Sequence, residues 1–335
     1  MSISKSISHR ERIQTSLSGE KPDSTPVALW RHFPVDDQTP DGLARAVTNF
    51  QNTFDFDLIK VTPASSFCVK DWGSKDTWRG NPEGTREYEN HIINHPDDWY
   101  KLKPLDPGRG ALSEQIHCLS LLRKEFDTAT PILQTIFNPL SQAKNLVGRE
   151  NLLIHMRKYP EALHAGLEII TETTMRFLES AVKIGLDGVF YAVQHAQYAL
   201  LTEEEFIEFS KSYDLRILEQ THSLWLNLLH LHGQDVMFNT VADYPIQVIN
   251  WHDRFTSPSL SEGLEQFKGT VCGGLSQWET MTFGTPEMIQ SEARDAIAST
   301  GGKRFILGTG CVLPVTAPFG NIVTARKFGS TFQSK

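Results

Sequence analysis

Two histidines one residue apart, His230 and His232, and a cysteine about eighty positions later, Cys311, are the residues of this chain best suited to act together. Each follows a short apolar stretch that reads as a buried strand, Trp225 to Leu229 and Phe305 to Leu307, and each runs into a glycine or proline break. In an extended strand, residues i and i+2 project from the same face, so the two imidazoles would aim at one point. Two imidazoles and a thiolate make a zinc-binding set, and three protein ligands leave the fourth tetrahedral position open to water or substrate. The same pattern has a plainer reading. A chain with 12 His contains such a pair by chance, and a buried cysteine is commonly a small hydrophobe.

These residues need elements to hold them, and the sequence alternates strand-like and helix-like segments. Ser8 to Ser18 reads as a charged helix, Val27 to Trp30 as a strand, Leu43 to Phe54 as a helix and Leu58 to Val61 as a strand. Pro131 to Ile136 and Val189 to Val193 are strand-like. Between them a helix opens at Pro160, carries Leu163, Leu167, Ile170 and Phe177 at helical spacing, and stops at Gly185. Thr202 with Glu205 forms a capping box for a helix to Thr221. Trp225 to Leu229, Gln247 to Trp251, Thr270 to Cys272 and Phe305 to Leu307 complete about eight strands, and Glu287 to Ser299 reads as a late helix after Thr285-Pro286. That alternation predicts a (β/α)8 TIM-type barrel over 1–335, with a helical arm over 1–24. The segment 72–110, rich in Gly, Pro, Asp and aromatics, is expected to be an insertion after the second strand, with a hairpin around Tyr88 to Ile93. No G-x-G-x-x-G or P-loop string supports a doubly wound sheet.

In a barrel, polar residues directly after strands gather at one mouth, where active sites form. Arg31, His32, Thr62, Asn138, Gln194, His195, His252 and Asp253 all occupy such positions, beside His230, His232 and Cys311. His195 is the candidate proton acceptor, with His252 the weaker choice, and Arg31 suits an anionic substrate tail. Each also reads as an ordinary hydrogen-bonding or ion-paired residue.

Composition narrows the partners. With 335 residues and 39% hydrophobic positions the chain can bury a sizeable core. A net charge of -8 disfavours nucleic acid and anionic membranes. No apolar run is long enough to span a bilayer, and MSISKSISHRERIQ lacks the apolar segment of a secretory signal, so a cytoplasmic location is expected. Four cysteines are too few for a disulfide framework.

Several strings resemble the uroporphyrinogen decarboxylase superfamily: TPVALWRHF, GLDGVFYAVQHAQYALLTEEEFIEFSKSYDLRI, LLHLHGQD, and GTPEMIQSEARDAIASTGGKRFILGTGCVLPVTAPFGNI. The likeness runs from about Arg10 to Phe328 and implies a distorted (β/α)8 barrel with its site at the C-terminal mouth. True porphyrinogen decarboxylases carry two arginines in the first loop, an aspartate after the second strand, a tyrosine after the middle strand and a histidine in the last loop. Here Arg31 matches the first arginine, whereas the other positions fall at about Val35, Ala64, Asn145 and Cys311. The resemblance is closer to the zinc-dependent corrinoid methyltransferase branch, whose zinc pattern is H-x-C with a distal cysteine. His230 and Cys311 match it, and His232 stands at the middle cysteine. That branch implies zinc as cofactor, a corrinoid as co-substrate held on a separate corrinoid protein, and a small-molecule methyl donor or acceptor. Gln194, His252 and Arg31 are the expected substrate-binding residues. The alternatives are a decarboxylase-like lyase acting on a carboxylated substrate, or a non-catalytic corrinoid-binding barrel.

Overall fold

Seven parallel strands carry the site. The computed structural model describes residues 7–331, so residues 1–6 of the expected N-terminal arm lie outside the described residues. Strands β1 (Ile59–Val61), β4 (Ile132–Phe137), β5 (Gly188–Val193), β6 (Leu228–Leu231), β7 (Val248–Asn250), β8 (Thr270–Leu275) and β9 (Phe305–Thr309) pair in that order, each parallel to the next. The segment beginning at Val27 lies beside β9 through parallel bridges Val27–Leu307 and Arg31–Leu313, and the Val27 carbonyl accepts from Asp57 N just before β1. The sheet therefore curls, and its two edges approach one shared segment, consistent with a TIM-type barrel. The remaining strands, β2 (Asp76–Thr77) and β3 (Glu87–Tyr88), form a small antiparallel ribbon within 72–110, displaced from the hairpin expected around Tyr88 to Ile93.

Helices follow the strands and start where the side chains allow. Ser8 and Glu11 form a capping box on α1 (His9–Leu17), Thr39 caps α2 (Pro40–Phe54), and Asn138 caps α4 (Pro139–Val147), which follows α3 (Gly110–Glu125). α5 (Arg149–Lys158) leads into α6 (Pro160–Val182), which buries Leu163, Leu167, Ile170 and Phe177, the stripe expected from its spacing. The Thr202–Glu205 box is present, but the helix it opens is interrupted. α7 (Glu203–Phe206) passes into a π turn over Ile207–Lys211 before α8 (Ser212–Gln220). Later come α9 (Phe238–Val241), α10 (Leu260–Gln266), α11 (Pro286–Thr300) and α12 (Phe319–Thr331). Among the described residues no helix is long and apolar enough to cross a membrane.

Strand limits differ from expectation where polar residues or glycines fooled the pattern. β6 was expected to stop at Leu229 but continues through His230 and Leu231, so His230 is a strand residue with its ring inside the sheet. β8 continues through Gly273 and Gly274 to Leu275, the φ of Gly274 being +101°, a backbone conformation that side-chain-bearing residues avoid.

Candidate metal centre

His230 and His232 leave β6 on the same face and meet Cys311, which follows β9. The Cys311 Sγ lies 3.8 Å from His230 Nε2 and 3.8 Å from His232 Nδ1. His252, just after β7, joins them, and one donor atom from each of the four residues lies within 4.8 Å of the others. A glycine makes the approach possible: a Cβ on Gly310 would stand 2.7 Å from the His252 Cα, so only a residue without one lets the Cys311 loop come this close.

The supporting residues settle which nitrogen of His230 is free. Asn250 Nδ2 donates to the carbonyls of Cys272 (2.8 Å) and Thr309 (3.0 Å), which fixes the amide, and its Oδ1 therefore accepts from His230 Nδ1 (2.7 Å). With its proton on Nδ1, His230 presents the Nε2 lone pair to the cluster. His252 is less settled. Its Nε2 is buried without a partner among the described residues, its Nδ1 is 3.4 Å from Gln277 Nε2, and Gln277 Oε1 is also unpartnered. With the Gln277 amide turned end for end, its Oε1 accepts from His252 Nδ1–H, which leaves the His252 Nε2 lone pair free for the cluster. Asn250→Ala is expected to weaken metal retention by roughly 10–100-fold, the usual cost of losing a residue that orients a ligand, as measured by competition with a chromophoric chelator.

Electrostatics suit a cation better than an empty cage. Burial, reinforced by His232 and His252, pushes His230 well below its ordinary pKa; burial brings His232 and His252 down to about 4. Burial and Glu83 push the Cys311 thiol up to about 12. Three neutral imidazoles and one thiol able to ionise are a mixed nitrogen and sulfur set that fits zinc.

The cluster opens into a cavity of about 80 Å³, lined also by Trp30, His32, Lys60, Glu83, Phe190 and Gln194. Inward residues alternate along the strands, as with Phe190 and Ala192 of β5 followed by Gln194. Gln194 also borders a wider cavity of about 670 Å³, which includes Ala64, Lys144 and Arg149, and its Oε1 accepts from Lys144 Nζ at 2.9 Å. His195 borders a third cavity beside His232; burial, with Lys144 and Arg149, lowers its pKa to about 3. Arg31 is absent from the lining of the cluster cavity, and its guanidinium lies 5.5 Å from the Phe33 ring. His252 stands inside the donor cluster, apart from Arg31. Sequence reasoning missed Asn250, hidden in an apolar strand, and Lys60, inside the strand read over Leu58 to Val61.

A family model described as Uroporphyrinogen decarboxylase (URO-D) matches residues 8–328. The chain belongs to this family. Among relatives of the URO-D chain, a methylated-thiol--coenzyme M methyltransferase of Methanosarcina mazei is 22% identical over 269 residues, 76% of this chain. The chain spans 65% of that relative's length. A solved structure of a methyltransferase from Methanosarcina mazei superposes with a TM-score of 0.85 at 18% identity, covering 96% of this chain and 98% of its own. A B12-independent methionine synthase from Shewanella sp. W3-18-1, in complex with selenomethionine, gives 0.54 at 13% identity, covering 92% and 94%. At these identities the structures establish the shared fold.

Proposed function

We propose that this URO-D family chain is a zinc-dependent methyltransferase that moves a methyl group between a corrinoid and a thiol. The observation that carries the reading is the convergence of His230, His232, His252 and Cys311 in one cluster, three of whose members, His230, His232 and Cys311, line a cavity. The methyl-transfer activity named for the Methanosarcina mazei relative supports it. A zinc ion in this donor set would supply a Lewis-acidic centre able to lower the pKa of a bound thiol to near neutrality.

The protein's own residues do the rest. Asn250 orients His230, and Gln277 orients His252, which we assign as a fourth donor able to give way to substrate. Trp30 and Phe190 wall the cavity with aromatic surface and exclude water. His195, beside His232 and with its pKa lowered mainly by burial, is on this reading a neutral imidazole at physiological pH whose unpartnered Nδ1 can take up a hydrogen bond or a proton during turnover. We read the closed eight-stranded form of the barrel from the Val27 and Arg31 bridges. The segment 72–110 is on this reading an insertion that lends Glu83 and Thr85 to the cavity wall. A corrinoid would be presented at the mouth by a separate protein, and the wide cavity bordered by Gln194 is on this reading its approach. Ala64, at about the position where the resemblance puts the pyrrole-binding acid of a porphyrinogen decarboxylase, lines that cavity, and on that ground we rank the lyase reading second.

The test is to mix methylated corrinoid, a panel of small thiols and the protein in zinc-loaded and metal-stripped forms, following the visible spectrum of the corrinoid. Zinc-dependent loss of the methyl-corrinoid bands with at least one thiol is expected. Equal spectra with and without protein for every thiol would reject the methyltransferase reading.

A further inference from the structure

Asp214 is a fully buried carboxylate held by neutral groups. Its Oδ1 accepts from Tyr191 OH (2.8 Å) and Asn138 Nδ2 (3.1 Å), its Oδ2 from Ser210 Oγ and Tyr244 OH (both 2.9 Å). The π turn makes this possible. Its extra residue turns α8 by about 100° relative to an unbroken helix, and that phase sets Asp214 against Tyr191 of β5 and Asn138 after β4. Burial pushes the Asp214 pKa up to about 6, so the group is still ionised at pH 7, and burying a charge among neutral donors is costly. Only a group that accepts at both ends can take four donors; an amide there would meet them with donors of its own. The carboxylate therefore sets directions, and the bonds beyond it show which.

Because Asp214 takes a proton of Asn138 Nδ2, the Asn138 Oδ1 faces the other way, where it accepts from the Ser141 amide (3.1 Å) and the Ser141 hydroxyl. A hydroxyl whose proton is committed offers its lone pairs, and Ser141 Oγ accepts from the Gln194 amide at 3.3 Å. Each link fixes the polarity of the next. The chain ends at the residue that borders the cluster cavity, the wide cavity and the cavity beside His195. Gln194 is pinned twice more, its carbonyl accepting from Gln197 Nε2 at 2.7 Å and its Oε1 from Lys144. An ammonium only donates, so Oε1 is occupied and the Gln194 Nε2 remains as a donor for an oxygen of a bound molecule.

We propose that Asp214, which lines none of these cavities, is a positioning residue: through Asn138 and Ser141 it sets where Gln194 stands between them and so keeps its Nε2 available to a bound molecule. The chain of hydrogen bonds stands by itself; its effect on turnover rests on the methyltransferase reading.

The experiment follows the Gln194 backbone amide by NMR in the intact protein carrying isotope-labelled glutamine, the resonance being assigned by its loss in Gln194→Leu. Asp214→Asn and Ser141→Ala are both expected to shift this resonance and to speed its hydrogen exchange by about tenfold, the loss of one hydrogen bond. Tyr244→Phe takes a donor from the other oxygen of Asp214 and should leave the resonance in place. A resonance unmoved in Ser141→Ala or in folded Asp214→Asn overturns the proposal, and so does one moved as far by Tyr244→Phe, which would make the cluster general packing. If Asp214→Asn does not fold, Asn138→Ala cuts the chain one link on, and a Gln194 amide unmoved there is equally fatal. In the methyl-transfer assay, Asp214→Asn and Ser141→Ala should raise the KM of a substrate by up to about tenfold at unchanged kcat. Unchanged KM and kcat in variants whose Gln194 amide has moved also overturn the positioning role. If wild type shows no turnover, the methyltransferase reading fails and the NMR result decides alone.

Discussion

Cys311→Ala should strip the chain of zinc while leaving it folded. The thiolate is the one anionic donor in the set, and the three imidazoles that remain are neutral at pH 7, because burial holds His232 and His252 near a pKa of 4 and His230 lower still. Removing it takes away the charge that offsets the dication, so the loss should exceed the 10–100-fold expected for Asn250→Ala. The sign of the pH dependence follows from the same values. The imidazoles have no proton to give up near neutrality, whereas the Cys311 thiol, pushed up to about 12, must ionise to bind metal. Zinc binding should therefore release one proton, and affinity should climb about tenfold per pH unit between roughly pH 6 and 9. In Cys311→Ala that slope should vanish. Chelator competition across pH reads both quantities, and thermal melting of the metal-stripped proteins should show a difference of only about 1 kcal/mol for one small buried side chain. A variant that keeps the wild-type slope would remove Cys311 from the ligand set.

Much of this centre could be read from the chain because its signals are local. The i, i+2 spacing of His230 and His232 needs only an extended backbone, and Cys311 is placed by the parallel alternation that brings strand ends to one side. What stayed hidden depends on which face closes inward. Lys60 sits in the string LIKV, which reads only as a strand, and nothing in that string says which face the curled sheet turns into the cavity. Asn250 looks like the polar end of an apolar run, yet it is buried and bonded to three residues across the sheet interior. The same cause shifted β6. The apolar pattern ends at the histidine, although the strand continues through it and its Nδ1 is bonded inside the sheet. The segment at Val27 was expected to be a full strand and makes only single bridges. Its first amide is taken by Asp57 Oδ2 at 2.8 Å and so is lost to a ladder. The π turn at Ile207–Lys211 had no signal in the spacing, since apolar periodicity does not reveal one extra residue in a turn.

Asp57→Ala is expected to be the most destabilising of the substitutions considered, and to act far from the metal donors. The carboxylate is fully buried beneath the curled sheet. Its Oδ1 accepts from Arg12 Nη1 (2.5 Å) and His9 Nδ1 (3.0 Å), and its Oδ2 from Val27 N (2.8 Å) and Arg326 Nη1 (3.2 Å). One side chain thus ties α1, the Val27 segment and α12 to the strand that carries Lys60. Truncation leaves Arg12 with Asp23, and His9 and Arg326 with Asp55, but it strands the Val27 amide and removes the charge the three cations share. Breaking such a buried ionic hub costs about 3–5 kcal/mol, or a fall in Tm of roughly 4–7 °C for a chain of this size. Burial raises the pKa of Asp57, but the His9 hydrogen bond, the charges of Arg326 and Arg12 and the Val27 amide outweigh it and leave it below the usual carboxylate range. A depressed folded pKa contributes stability that is complete above the unfolded value, near 3.9, and is lost as pH falls through the folded one. His9 runs the other way: its pKa is raised, as Asp57 and Asp55 outweigh burial, so its share is complete below about 6.5 and declines as pH rises through the folded value. Melting curves of wild type and Asp57→Ala should therefore lie furthest apart between pH 4 and 6, by roughly the margin given above, and converge in stronger acid. Zinc bound per folded chain should be unchanged, because none of the four donors or their supporting amides touches this hub; a parallel loss of metal would mean that the base of the sheet and the centre at its mouth are one cooperative unit.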